Sequence, residues 1–136
     1  FIMRHGDAQR GVPDHARPLT EVGEEEVVSA IRHLGELRWI AASPLRRAQE
    51  SAALVLSQRT APIETWRELV PGGTPEAVYG KLRDSTGPGL LVSHLPLVAV
   101  LIGELTGAMP QMSTGTVARV SGEAFLPGWC ELDWVK

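Results

Sequence analysis

A chain of 136 residues, 43% apolar and 21% charged, has the material for one ordinary core, and a domain near that size buries roughly two-thirds of the surface its unfolded chain exposes. A net charge of −3 gives no electrostatic reason to expect nucleic acid or an anionic membrane as partner, since both select dense cationic faces, so any anion site must be built locally. No polar repeat, like-charge run or linker divides the sequence, and residues 1–136 read as a single domain.

Phe1-Ile2-Met3 reads as the end of a short buried strand, followed by a charged turn from Arg4 to Arg10 and a Gly/Pro/Asp-rich loop through Arg17. Because the chain opens inside a strand, a few residues are expected to precede Phe1, and no signal-peptide pattern is present. A helix is predicted from Thr20, its N-cap, with Glu21 and Glu24 to Glu26 in the opening turns and Val27, Ile31 and Leu34 on one face. Trp39 to Ala42 reads as a second buried strand, and Ser43-Pro44 as a cap residue and proline opening a helix from Leu45 to about Leu56. Ile63 to Trp66 is a shorter strand, Gly72 to Gly73 a loop, and Thr74-Pro75-Glu76 a second helix start leading to Val78 and Leu82.

Gly89 to Val92 reads as a fully buried strand, and Pro96 to about Thr106 as an apolar helix. The longest apolar run, Leu95 to Gly103, is about half of what a bilayer span needs. Gly115 to Val120 and Trp129 to Val135 have the alternation and aromatic content of half-buried or edge strands. The order predicts an α/β fold, a three-layer αβα sandwich around a mainly parallel central sheet. Cys130 has no partner for an intramolecular disulfide, which points to a packing role and a reducing, cytoplasmic setting.

In open α/β sheets ligands bind beyond the carboxyl ends of the strands. There the sequence delivers Arg4 and His5, then Ser43 with Arg46 and Arg47 one turn later, then Ser93 and His94. Guanidinium forks match phosphoryl oxygens, helix N-termini add N–H donors, and a neutral histidine among positive charges keeps a lone pair free to act as nucleophile. Each piece alone has a plainer reading: Arg-His-Gly as chance, Ser43-Pro44 as a helix start, His94 as a satisfied structural histidine. His15, His33 and the run Glu24 to Glu26 are read as solvent-exposed. A metal site of His5, Asp7, Asp14 and His15 matches no standard zinc spacing, and the neighbouring arginine would repel a cation; no metal or cofactor is expected.

Taken together, Phe1 to Asp7 with Arg4-His5-Gly6 at its centre, Arg17-Pro18-Leu19-Thr20, Ser43-Pro44-Leu45-Arg46-Arg47-Ala48 and Val92-Ser93-His94-Leu95-Pro96 resemble the histidine phosphatase superfamily, which has a phosphoglycerate mutase-like fold. Within it they are most similar to the small SixA-type phosphohistidine phosphatases, and the resemblance runs from Phe1 to at least Glu104. It implies that His5 is the phosphorylated nucleophile and that Arg4, Arg47 and His94 surround the phosphoryl group, with Ser43 a further phosphate contact. Arg47 is chosen over Arg46 because the family arginine directly precedes alanine. Glu68, in Trp66-Arg67-Glu68-Leu69-Val70-Pro71-Gly72, matches in part the setting of the family's proton donor, and a structural loop glutamate is the competing reading. Only 20 residues lie between Arg47 and Glu68, which leaves no room for the insertion that covers the pocket in larger relatives.

The resemblance implies a metal-independent phosphatase that removes phosphate from protein phosphohistidine, for example on a histidine-containing phosphotransfer domain, through a phosphohistidine intermediate. Neither nucleic acid nor membrane is expected as a partner, and a monomer suffices. The alternatives are a phosphatase for small phosphomonoesters and a non-catalytic module that binds a phosphoprotein.

Overall fold

The computed structural model describes residues 1–136. Its elements in chain order are β1 (Ile2–Arg4), α1 (Glu21–Ile31), β2 (Trp39–Ala42), α2 (Arg46–Leu56), β3 (Ile63–Thr65), α3 (Pro75–Leu82), β4 (Gly89–Ser93), α4 (Leu97–Thr106), β5 (Val117–Gly122) and β6 (Cys130–Val135). Single 3-10 turns occupy Asp14–Ala16 and Arg67–Leu69. The six strands form one sheet in the order β3-β2-β4-β1-β5-β6. The first four are parallel neighbours, and β5 and β6 add antiparallel strands beside β1.

Strand alternation sends successive side chains to opposite faces. Met3, Ile40, Ala42, Leu90 and Val92 meet the buried stripe of α1 and α2, including Val27, Ile31, Ala48, Ala52 and Val55. Ile2, Ala41, Leu91 and Ala118 meet Val78 and Leu82 of α3 and Leu97, Leu101, Ile102 and Leu105 of α4. The result is the expected αβα sandwich, with β4 and β1 central because both of their faces are covered. β5 is an interior strand between β1 and β6, so of the two late segments only β6 forms an edge. No helix is long and apolar enough to cross a membrane.

Local chemistry explains the helix starts. The Thr20 hydroxyl accepts the Gly23 N–H at 3.0 Å, and Thr74 caps α3 through the Ala77 N–H, with Pro75 in the first turn. Ser43 is not a cap: α2 begins at Arg46, Leu45 takes the cap position, and Ser43 turns inward. Cys130 is buried, its thiol directed to the Ala124 carbonyl. His33 is half-buried rather than solvated, because its ring meets the edge of Trp134. Glu26 also leaves the solvated reading of its run, since its carboxylate accepts from the Asp7 N–H and the Thr114 hydroxyl.

Candidate active site

Sheet register places the site. Arg4 lies across from Ser93, and Ala42 across from Val92, so the residues that follow β1, β4 and β2 emerge side by side. The His5 N–H donates to Ser93 O and the Ser43 N–H to Val92 O, both at 3.0 Å, which carries strand pairing one residue past each named end. The His5 and His94 rings then sit 4.9 Å apart, tilted by 54°. Gly6 lets the turn after His5 press against α1: a Cβ there would meet Gly23 O at 2.4 Å, and a Cβ on Gly23 would meet Asp7 O at 2.1 Å.

His5 Nδ1 lies 2.7 Å from Gly6 O. A carbonyl can only accept, so the hydrogen sits on Nδ1 and the lone pair on Nε2. That lone pair accepts from Arg47 Nε–H at 3.2 Å. Burial, with the positive charges of Arg47, Arg4 and Arg17 adding to it against the opposing Gly6 hydrogen bond, lowers the His5 pKa to about 4. His94 is lowered to about 3 by burial first and then by His5, Arg47 and Arg4. Both imidazoles are therefore neutral at pH 7.

Arg47 is 4% exposed, and its other nitrogens reach the Asp14 carbonyl at 2.8 Å and the Asp14 carboxylate at 3.4 and 3.5 Å. Arg46 instead faces outward and meets only Glu50 at 3.4 Å. The structure thus separates the two arginines, which helical spacing alone does not. Arg4 donates to Met112 O at 3.1 Å, and its Nε is buried without a partner. Ser93 Oγ donates to Leu69 O at 2.6 Å, which ties the turn carrying Glu68 to the end of β4, one residue before His94. Glu68 Oε2 is also buried and unpartnered.

Ser43 differs from its expected place as a phosphate contact. It is fully buried, and its hydroxyl is held between the Leu45 N–H and His94 Nε2, so any part it plays runs through His94. The residues of the weighed metal site disperse: Asp7 Oδ2 accepts from the Thr20 hydroxyl at 2.8 Å, His15 is exposed, and Asp14 is spent on arginines.

Apart from the rejected metal set that includes Asp14 and the motif that includes Arg17, the sequence points to no role for Asp14, Arg17 or Ser51. Arg17 clamps the loop by donating to Gln9 O at 2.7 Å and Ala8 O at 3.1 Å, and meets Asp14 at 3.5 Å. Ser51 Oγ accepts the Gly6 N–H at 3.1 Å and donates to Arg47 O at 2.7 Å, joining the His5 turn to α2. The Arg-Pro-Leu-Thr segment is the one signal for Arg17; nothing in the sequence points to Asp14 as a partner of Arg47 or to Ser51.

Four buried side-chain polar atoms have no protein partner; two of them, Arg4 Nε and His94 Nδ1, lie around His5, and a third, Glu68 Oε2, is on the turn tied to the end of β4. Buried polar groups are nearly always paired, so the concentration marks a place built for something else to complete. Two are nitrogens, beside the neutral His5 imidazole. The arrangement is suited to an anion with several oxygens. A cavity of about 730 Å³ opens at the other end of the sheet, lined by Phe1, Trp39 and Gly89 at strand starts, and has no part in this chemistry.

The family model of the histidine phosphatase superfamily (branch 1) matches residues 1–71, the stretch that holds Arg4, His5, Ser43, Arg47 and Glu68. The chain belongs to the histidine phosphatase superfamily. It is 36% identical to the phosphohistidine phosphatase SixA of Escherichia coli (strain K12) over 134 residues, covering 89% of this chain and 83% of the relative. It is 33% identical to the SixA homolog of Haemophilus influenzae, covering 88% and 85%. Among solved structures, protein histidine phosphatase SixA complexed with tungstate superposes with a TM-score of 0.87 at 30% identity, covering 98% of this chain and 93% of that one. Histidine phosphatase membership thus rests on the sequence match and on the superposed fold together.

Proposed function

We propose that the chain hydrolyses phosphohistidine on a protein, without a metal, through a phosphorylated His5. The observation that carries this is the His5 Nε2 lone pair, held free by the Gly6 carbonyl on the opposite ring nitrogen and facing Arg47 Nε at 3.2 Å. An incoming phosphoryl group takes the guanidinium away from Nε2, and Arg47, Arg4 and His94 then hold its oxygens.

In the first step His5 Nε2 attacks phosphorus in line as the phosphorus–nitrogen bond of the substrate breaks. The electron pair leaves on the substrate imidazole, which takes a proton from solvent. In the second step water attacks phosphorus and the bond to Nε2 breaks. Phosphate departs, the water proton passes to solvent or phosphate, and His5 regains its lone pair. Charge spread over the equatorial oxygens meets donors already in place, so catalysis is positioning and electrostatic stabilisation.

The phosphoprotein reading is supported by the relatives named phosphohistidine phosphatases and by the short path from α2 through β3 to Glu68, which carries no inserted element over the site. A histidine-containing phosphotransfer domain is the partner that fits. The test is phosphate release from such a phosphorylated domain beside release from p-nitrophenyl phosphate. The expected result is a kcat/KM at least about tenfold higher on the protein, a preference of about 1.4 kcal/mol in the transition state. Equal values favour a small-ester phosphatase, and binding of the phosphoprotein without phosphate release favours a binding module.

A further inference from the structure

Ser43 follows β2 and His94 follows β4, and the register of Ala42 beside Val92 brings their side chains together behind the reacting face. Ser43 Oγ lies 2.7 Å from His94 Nε2, with the serine at 0% and the histidine at 1% exposure. The hydroxyl has one hydrogen to give. One of its lone pairs takes the Leu45 N–H at 3.3 Å, and His94 Nε2 is its only other partner. If Nε2 carried the imidazole hydrogen, the serine hydrogen would be buried without an acceptor and Nδ1 would be a bare lone pair beside Arg4 and Arg47. If Nδ1 carries it, Ser43 is satisfied and the unpartnered Nδ1 becomes a donor. Only the second assignment leaves every buried group paired once an anion arrives.

We propose that Ser43 is a positioning residue whose hydroxyl donates to His94 Nε2 and fixes the Nδ1–H tautomer, so that His94 offers a neutral N–H to a phosphoryl oxygen. The tautomer stands on geometry alone; its use in catalysis rests on the phosphatase reading above. A neutral donor stabilises oxygen charge as it develops without adding a further cation to the arginines around His5. The Gln49 side chain holds the serine's backbone as well, its Nε2 donating to Ser43 O at 2.8 Å. Ser43 thus does for His94 what the Gly6 carbonyl does for His5, with the opposite sense: an acceptor fixes the hydrogen on the near nitrogen of His5, and a donor fixes it on the far nitrogen of His94.

Long-range proton–nitrogen NMR of the histidine-labelled enzyme at pH 7 reads the tautomer directly, with the His94 signals identified by their loss in His94→Gln. The expected spectrum has His94 Nδ1 protonated and Nε2 bare. Ser43→Ala should move His94 toward the other tautomer and lower kcat by at least about tenfold with little change in KM, the size seen when the partner orienting a functional histidine is removed. Ser43→Thr, which restores a hydroxyl, should recover the tautomer and part of the rate. A wild-type spectrum with Nε2 protonated, or an unchanged tautomer in Ser43→Ala, overturns the assignment. The wild-type spectrum decides the tautomer whether or not a variant folds, and whether or not the enzyme turns over phosphohistidine.

Discussion

At the scale of single residues, the central contact is Arg47 Nε against His5 Nε2. An arginine that is almost wholly buried and shared between His5 and Asp14 has a different fate on truncation from its exposed neighbour. Arg47→Ala should lose at least about 2 kcal/mol of transition-state stabilisation, roughly 30-fold in kcat/KM. Arg46→Ala removes one exposed pair with Glu50, worth about 0–1 kcal/mol of stability, and should leave kcat/KM within about threefold. Steady-state kinetics of both variants on one substrate checks the pair, and a larger loss for Arg46→Ala would contradict the geometry.

Glu68 has a buried, unpartnered Oε2 beside the end of β4. An alkoxide needs a proton as it departs, whereas the imidazole of phosphohistidine is protonated readily by solvent. If Glu68 donates that proton, Glu68→Gln slows hydrolysis of an alkyl phosphate by about 10²-fold and of phosphohistidine far less. Equal losses on both substrates indicate a role in holding phosphate. No loss on either returns Glu68 to the reading of a structural loop carboxylate.

Arg4, His5 and His94 are legible in sequence because Arg4 closes a short strand and His5 and His94 directly follow one, where ligands bind in such sheets. Ser43 was legible as a member of the site but not in its role: its partner comes from a strand 51 residues away, and sequence does not say that β4 enters between β1 and β2. Asp14 lies in a Gly/Pro-rich loop with no period, so nothing local announces that it closes on Arg47 while Arg17 pairs with it from the other side.

At the scale of elements, α1 shows tertiary packing overriding helix propensity. Gly23 is the residue whose N–H Thr20 caps, and alanine in a helix is ordinarily better than glycine by about 1 kcal/mol. Here an added Cβ meets the Asp7 backbone at 2.1 Å, so Gly23→Ala should lower both stability and activity by pushing the His5 turn away from α1. Gly80 in α3 is exposed with open space around it, and Gly80→Ala should gain about 1 kcal/mol. Urea unfolding midpoints of the two variants should move in opposite directions; a stabilised Gly23→Ala would show that the turn does not lean on the helix. The caps Thr20 and Thr74 were readable because their partners lie three residues on. The sequence places the start of α2 within one residue, and only its cap differs, since Leu45 holds the cap position and the Ser43 hydroxyl meets His94.

At the scale of the whole molecule, two buried neutral histidines make stability depend on pH. His5 and His94 have folded pKa values of about 4 and about 3, against 6.5 unfolded. Above pH 6.5 both are neutral in either state and cost nothing. As pH falls below 6.5 the unfolded chain binds protons first, so stability is lost down to the folded pKa values, with a slope approaching about 1.4 kcal/mol per pH unit for each histidine. Replacing His94 with glutamine should flatten the decline between pH 6 and pH 4 by about one histidine's share, read as the difference between the two denaturation curves. Parallel curves would mean that His94 is not held neutral. The same depression predicts that the acid limb of kcat/KM set by the free nucleophile lies well below pH 6.5. At this scale the αβα layering was readable from apolar strands alternating with helices, while strand order was not, because neighbours in a parallel sheet are joined through helices and leave no local mark.

The covalent role of His5 is tested most directly by brief reaction with phosphorus-labelled substrate, quenching in base, and mapping of the label by peptide mass spectrometry. The account predicts one phosphoryl group on His5, stable in base, lost in acid, and absent from His5→Ala, which should have no turnover. A turning-over enzyme with no label at His5, or a fully active His5→Ala variant, would contradict it.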